Sequence, residues 1–362
     1  MEGNQAIKID QLLDGASGFG STVSRETEEL SEIVQDPQIS LNERLEAYED
    51  IINIEIGDTT LSRARNIERA TGIRQLFLKF EGGNPSGTQK DRIAFAQCQD
   101  ALRRGFDTIT VATCGNYGAS VALAARLAGL QCIICIPSNY HTQRIKEMEV
   151  IEAQITRVPG TYEDTVIYSK SMAESNEYYD ANPGGANTAL QIHSYSEISN
   201  EIYDVMRDAP RVVAVPVSNG TLLAGIYRGF VSLFKRGKTS RIPRIIAGSS
   251  FKKNPIIWSY KKGFETCQDL TPDTIKESKV NEPLINWHSF DGDEALYAIR
   301  QSEGIAMDVS DQKLMYYSRI LKEKEGLSVL PASTAGLVAL LEWNRKNPLE
   351  GDRYVAVLTG RK

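Results

Sequence analysis

Along most of this chain, short continuous apolar runs alternate with longer stretches of helical periodicity. "LFLKF" (76–80), "TITVAT" (108–113), "CIICIP" (132–137), "RVVAVPV" (211–217), "RIIAGSS" (244–250) and "YVAVLTG" (354–360) read as strands. Between them lie helix-patterned stretches such as 92–105, 120–129, 142–153, 162–175 and "DQKLMYYSRILKEKEG" (311–326). Strands this apolar, alternating with helices, belong in parallel sheets covered on both faces. A chain of 362 residues exceeds one ordinary core. The pattern therefore predicts an α/β protein of two parallel-sheet, three-layer domains with a cleft between them. Residues 1–50 are polar and read as an N-terminal arm, with "GASGFGSTVS" loosely structured and "LNERLEAYED" helical. The expected larger domain is 51–92 plus 159–362, and the smaller is 93–158.

The formal net charge of −6 argues against a general affinity for nucleic acid. No run approaches the ~18 apolar residues of a membrane span. The acidic, polar start does not read as a secretory signal, so a cytoplasmic protein is expected. Five cysteines, Cys98, Cys114, Cys132, Cys135 and Cys267, lie mostly in apolar runs and read as buried reduced thiols. Cys132 and Cys135 are three apart in a strand and so face opposite sides, which is poor geometry for a shared metal. His141, His193 and His288 are scattered, with no ligand spacing, and only His193 is a candidate for the substrate side.

Ligands of parallel α/β sheets collect where strands give way to helix N-termini. Three loops of that kind stand out: "EGGNPSGTQKDR" (81–92) with Lys90, "ATCGNYGAS" (112–120) and "PVSNGTLLAG" (216–225). In the third, Ser218, Asn219, Gly220 and Thr221 mark the start of a helix whose N–H groups suit a phosphate. A plain glycine turn would look similar. Nucleotide motifs fail on spacing, because Lys90 does not follow a glycine directly and no Gly-x-Gly-x-x-Gly follows a strand.

In order and context the loops resemble the fold-type-II pyridoxal-phosphate enzymes, and within them the threonine synthases. That family carries "NP(T/S)G(S/T)xKDR", here "NPSGTQKDR", and "(S/T)xGNxxxS", here "TCGNYGAS". Its phosphate turn resembles "PVSNGT", and its terminal strand ends in "TG", as "VLTG" does. "IGDTTLSRA" (56–64) and "VLPASTAGLVAL" (329–340) are similar to two further family segments. The resemblance implies pyridoxal 5'-phosphate in the cleft, bound to Lys90 as a Schiff base, with Lys90 returning as the base that moves the substrate's α-proton. It implies that Asn116 meets the ring hydroxylate. Thr113, Cys114, Gly115 and Asn116, with Thr88, would take the carboxylate of a small amino-acid substrate. Ser218, Asn219, Gly220, Thr221 and Leu222 would cradle the phosphate. Thr359 would face the ring nitrogen, and an uncharged partner there favours loss of a β or γ substituent over transamination. A homodimer is also implied.

The chain departs from the threonine synthases at substrate positions. The phosphate-binding arginine is read here as Gln191, and the family's "EPAS" glutamate as Leu330. Arg92, Arg144 and Lys146 are the possible replacement cations. These departures point to a threonine-synthase-like lyase or synthase with another substrate. The alternatives are a true threonine synthase, a serine or threonine deaminase, and a non-catalytic binding protein.

Overall fold

The computed structural model describes residues 23–113, 115–140, 144–349, 351 and 353–362. In chain order its first elements are α1 (Arg25–Gln35), α2 (Leu41–Glu55), β1 (Leu61–Arg63), α3 (Arg65–Thr71), β2 (Leu76–Phe80) and α4 (Lys90–Arg103). Next come β3 (Thr108–Ala112), α5 (Asn116–Ala128), β4 (Gln131–Pro137), α6 (Arg144–Val150), β5 (Gln154–Val158), α7 (Tyr162–Asn176) and β6 (Tyr179–Asp180). Then follow α8 (Thr188–Met206), β7 (Val212–Pro216), α9 (Thr221–Lys235), β8 (Arg244–Ser250) and α10 (Pro255–Lys262). The last are α11 (Gly292–Gln301), β9 (Ile305–Val309), α12 (Asp311–Ile320), α13 (Ala335–Lys346) and β10 (Tyr354–Leu358).

These elements form two compact units. One joins Asn84–Asn187 to the described residues up to Gly57, and the other joins Asp58–Gly83 to Thr188–Lys362. The smaller unit holds a four-stranded sheet in the order β5-β4-β3-β6, parallel throughout. The larger holds six strands in the order β1-β2-β10-β7-β8-β9. All its pairs are parallel except β1 with β2 at one edge. Strands β3, β7 and β10 are buried at every position, as the apolar runs of β7 and β10 require, and in β3 the burial includes Thr108 and Thr110. This is the parallel-sheet α/β class that the strand pattern predicts.

Four expectations need correction. The predicted boundary at 92/93 would cut α4, which runs unbroken from Lys90 to Arg103. The boundary at 158/159 would detach β6, which pairs with β3 through Ile109 and Tyr179. Lys90 therefore falls in the smaller unit. The third concerns the N-terminal arm, since its described part packs on that unit. Tyr48 is fully buried, donates to the Ala124 carbonyl at 3.0 Å and stacks on Phe95. Ser31 donates to the Leu127 carbonyl at 3.0 Å. A Ser40–Glu43 capping box starts α2, a local signal present in the sequence. The stretch 311–326 is not one α-helix either. After Ile320 it widens into a π-helical turn, Leu321–Glu325, that buries Leu321 and ends at Gly326.

Candidate active site

In the smaller unit, β3 ends at Ala112 and the chain turns through Thr113 and Gly115 into α5, which opens with Asn116. No side chain caps α5, so its first-turn N–H groups are not claimed by a capping residue. Thr113 is buried, and Gly115 and Asn116 are partly exposed. Lys90 opens α4 and is partly buried, with Nζ 5.1 Å from the centroid of the Tyr117 ring. Tyr117 follows Asn116 directly, so the amine stands beside the start of α5. Thr88 is nearly fully buried, donates to Gln89 Oε1 at 2.6 Å and accepts from the Lys90 N–H at 3.4 Å.

Hydrogen bonds join the two helix starts. Asp91 is wholly buried and accepts both the N–H of Ser86, at 2.8 Å, and its hydroxyl. The Ser86 Oγ lies 2.8 Å from Ser120 Oγ, and the Ser120 hydroxyl lies 3.0 Å from the Asn116 carbonyl oxygen. Burial pushes the Asp91 carboxyl up to about 6, against the Ser86 and Ser120 hydrogen bonds and the nearby Arg144 charge.

In the larger unit, β7 and β10 are neighbouring parallel strands, with Tyr354 opposite Val212 and Ala356 opposite Ala214. Their carboxyl ends lead to the turn Ser218–Thr221 and to Thr359, so both features lie at the same end of the sheet. Gly220 has φ +105°, and a Cβ there would come within 2.6 Å of the Asp291 carbonyl oxygen. The 15-residue α9 that follows has no side-chain cap. The Thr221 hydroxyl is committed to the Asp291 carboxylate, leaving its main-chain N–H as the group a phosphate can use. Asn286 Nδ2 donates to Asn219 Oδ1 at 2.9 Å, and Asn254 Nδ2 donates to the Ser218 carbonyl at 3.0 Å. Leu222 is buried behind the turn. Thr359 Oγ1 lies 2.9 Å from Ser333 Oγ, which itself accepts the Gly360 N–H at 2.8 Å.

Ser86, Tyr117, Asn254, Asn286, Asp291 and Ser333 are contributors that the motif reading did not single out. Ser333 sits inside the quoted "VLPASTAGLVAL" segment and could have been found there. Ser86 and Tyr117 likewise sit inside the quoted loops, whereas Asn254, Asn286 and Asp291 carry no motif, because their partners are distant in sequence.

Among the replacement cations, Arg144 donates to the Ser86 carbonyl at 3.2 Å and lies 3.7 Å from Glu147 Oε2. Burial pushes the Glu147 carboxyl up to about 7, against the Arg144 charge. Arg92 is buried in the first turn of α4, and Lys146 is exposed on α6. Gln191 is buried in α8, and His193 is exposed on the same helix. His288 pairs through Nδ1 with Asp269 Oδ1 at 2.8 Å. Cys98, Cys132 and Cys135 are buried free thiols, and burial raises Cys132 to about 12. Cys114 and His141 lie outside the described residues.

In the smaller unit a partly buried amine at a helix start suits an aldehyde, and in the larger unit an uncapped glycine-led helix start at a sheet end suits a phosphate. The chain belongs to the pyridoxal-phosphate dependent enzyme family, whose pattern matches residues 52–360. Pyridoxal phosphate is its cofactor. Threonine synthase of Methanocaldococcus jannaschii is 27% identical over 318 residues, covering 86% of this chain and 76% of that protein. Threonine synthase of Bacillus sp. (strain ULM1) is 28% identical over 307 residues, covering 84% and 82%. Maize serine racemase superposes with a TM-score of 0.71 at 20% identity, covering 88% of this chain and 93% of the other. The processed form of threonine deaminase isoform 2 from Solanum lycopersicum gives 0.68 at 14%, covering 91% and 93%. At those identities the structural likeness speaks to the fold alone. Among the described residues, no helix is long and apolar enough to cross a membrane.

Proposed function

We propose that this enzyme is a lyase or synthase that eliminates or replaces a β or γ substituent of an amino acid, and that its substrate is not O-phosphohomoserine. The observation that carries the reading is the uncharged hydroxyl pair of Thr359 and Ser333 at the end of β10. With no carboxylate in that pair, a ring nitrogen beside Thr359 stays largely unprotonated. Pyridoxal phosphate, when bound, draws electrons from the substrate's α-carbon, and with a neutral ring nitrogen this drives loss of a leaving group better than transamination. Lys90 bears the cofactor and moves the proton at the substrate's Cα. Asn116 orients the ring through its oxygen. The N–H groups of Ser218 to Leu222 hold the phosphate, and Thr88 with the 113–116 turn holds the substrate carboxylate.

The threonine synthase relatives support an amino acid with a leaving group as substrate class. Against their own substrate stand buried Gln191, a neutral side chain at the position read as the family's phosphate-binding arginine, and Leu330 in place of the family's glutamate. The test begins with borohydride reduction of the purified holoenzyme and peptide mapping, which should place the label on Lys90. A screen of phosphorylated, acetylated and free amino acids then reads shifts in the bound cofactor's absorption. Rapid conversion of O-phosphohomoserine to threonine and phosphate would reject the substrate claim. Ammonia and a 2-oxo acid from serine or threonine would mark a deaminase.

A further inference from the structure

Between α9 and α11 the larger unit has a cleft of about 560 Å³, within the ~300–1,000 Å³ of small-molecule sites. Tyr227, Arg228 and Val231 line it from α9, and Asp293, Glu294 and Tyr297 from α11. In each trio the third residue follows the others at helical spacing, so all three share one face. We infer that this cleft binds an α-amino acid with an apolar side chain, as an effector rather than a substrate, and that the occupant tightens the hold of the adjoining turn on the cofactor. The second half of the inference rests on the assignment of Ser218 to Leu222 to the phosphate made above.

Tyr227 is the telling group. It is only 7% exposed, yet its hydroxyl has no hydrogen-bond partner among the described residues. Burial, and then the neighbouring Tyr297, raises this phenol above its ordinary range, so it stays a neutral donor. The Tyr297 ring stands 6.4 Å away and nearly perpendicular, and with Val231 the two rings form an apolar wall. The rim carries both signs of charge. Glu294 Oε2 pairs with Arg228, and Asp293 Oδ1 accepts the Cys267 N–H at 2.6 Å. The second oxygen of each carboxylate has no partner among the described residues. Those oxygens suit an ammonium, and the Arg228 guanidinium suits a carboxylate. The Arg228–Glu294 pair is substantially exposed on both sides, so it opens at little cost. A zwitterion replaces it with a pair to each sign, whereas a simple cation or anion engages only one. The same two helices meet at their starts. The Asp291 carboxylate, just before α11, accepts the hydroxyl of Thr221, which opens α9, and the Asp291 N–H donates to the Asn219 carbonyl at 3.1 Å. A ligand clasped between Arg228 and the 293–294 carboxylates fixes the separation of α9 and α11, and with it the turn. By linkage, cofactor and amino acid raise each other's affinity by the same factor.

The experiment titrates L-leucine and L-phenylalanine calorimetrically into holoenzyme whose cofactor has been fixed to its lysine by borohydride, so that neither can exchange onto the cofactor. Both should bind saturably. 2-Phenylethylamine and 3-phenylpropanoate, each lacking one charge, should bind at least about tenfold more weakly than phenylalanine. Arg228→Gln should weaken both amino acids by a similar factor. Tyr227→Phe should weaken them about two- to tenfold, with an unchanged urea midpoint because its hydroxyl has no protein partner to lose. Arg236→Gln, an exposed cation removed just past the end of α9, should change neither. No saturable binding overturns the site, as does native affinity in both Arg228→Gln and Tyr227→Phe, or a loss in Arg236→Gln equal to that in Arg228→Gln. Equal affinity of the single-charge analogues overturns the zwitterion. In unreduced holoenzyme either amino acid should tighten cofactor binding about fivefold or more, an effect lost in Arg228→Gln. Unchanged cofactor affinity overturns the coupling. The borohydride label is mapped on the same samples. A label away from Lys90 rejects the functional assignment, while the titrations of the variants still decide the cleft.

Discussion

At the residue scale, Gly220 offers a clean test. Its left-handed backbone and the 2.6 Å approach of the Asp291 carbonyl leave no room for a methyl group. Gly220→Ala should cost about 1–3 kcal/mol of stability, read by urea unfolding, and should weaken cofactor binding by shifting the start of α9. Ser333→Ala removes the acceptor of the Gly360 N–H and the partner of Thr359. It should cost about 1–3 kcal/mol and shift the bound cofactor's absorption, with Lys90 still labelled by borohydride. Lys90, Asn116 and Gly220 were legible as candidates because turn formers between an apolar strand and a helix stand out by type and spacing. The side chains that brace them were not. Asn286 reaches Asn219 and Asp291 reaches Thr221 across long stretches of chain, and a lone polar residue in an irregular loop leaves no periodic trace.

At the scale of elements, strand positions were the most readable feature. A run apolar at every position is best buried on both faces, and β7 and β10 are. Helix limits were less so. The segment 311–326 has helical periodicity throughout, yet burying Leu321 takes an extra residue in the turn at Leu321–Glu325. Helices α1 and α2 looked detached because their sequences are polar, with few apolar positions showing a face. Their attachment depends on single contacts such as Tyr48 in the space beside Phe95. Tyr48→Phe should lose about 1 kcal/mol with the bond to Ala124. Tyr48→Ala should lose about 3–5 kcal/mol. Thermal unfolding of both variants checks the claim, and equal stability of the two would show that the ring's packing contributes nothing.

At the scale of the whole molecule, the two units were foreseen but their limits were not, because the chain leaves and re-enters each unit without a linker composition to mark the crossing. Titration adds a global prediction. Asp91 and Glu147 bind protons more tightly folded than unfolded, with values raised to about 6 and about 7. Their stabilising contribution is fully present below about pH 4 and is lost as pH rises through those two values. Asp91 alone accounts for about 3 kcal/mol. Glu68, Asp100, Asp208 and Glu342 are shifted down and act oppositely, losing their contribution as pH falls. Urea midpoints of the cofactor-free protein should therefore decline from mildly acid to neutral pH. Midpoints that rise over that interval would show that folding does not raise these two carboxyls. The placing of β10 between β2 and β7 has a consequence of another kind. While a ribosome is still extending the chain, every strand of the four-stranded sheet has emerged, yet β2 and β7 lack the ribbon that joins them. The nascent larger sheet thus keeps two raw borders until Tyr354–Leu358 is made, and this is where a chaperone would have to stand guard.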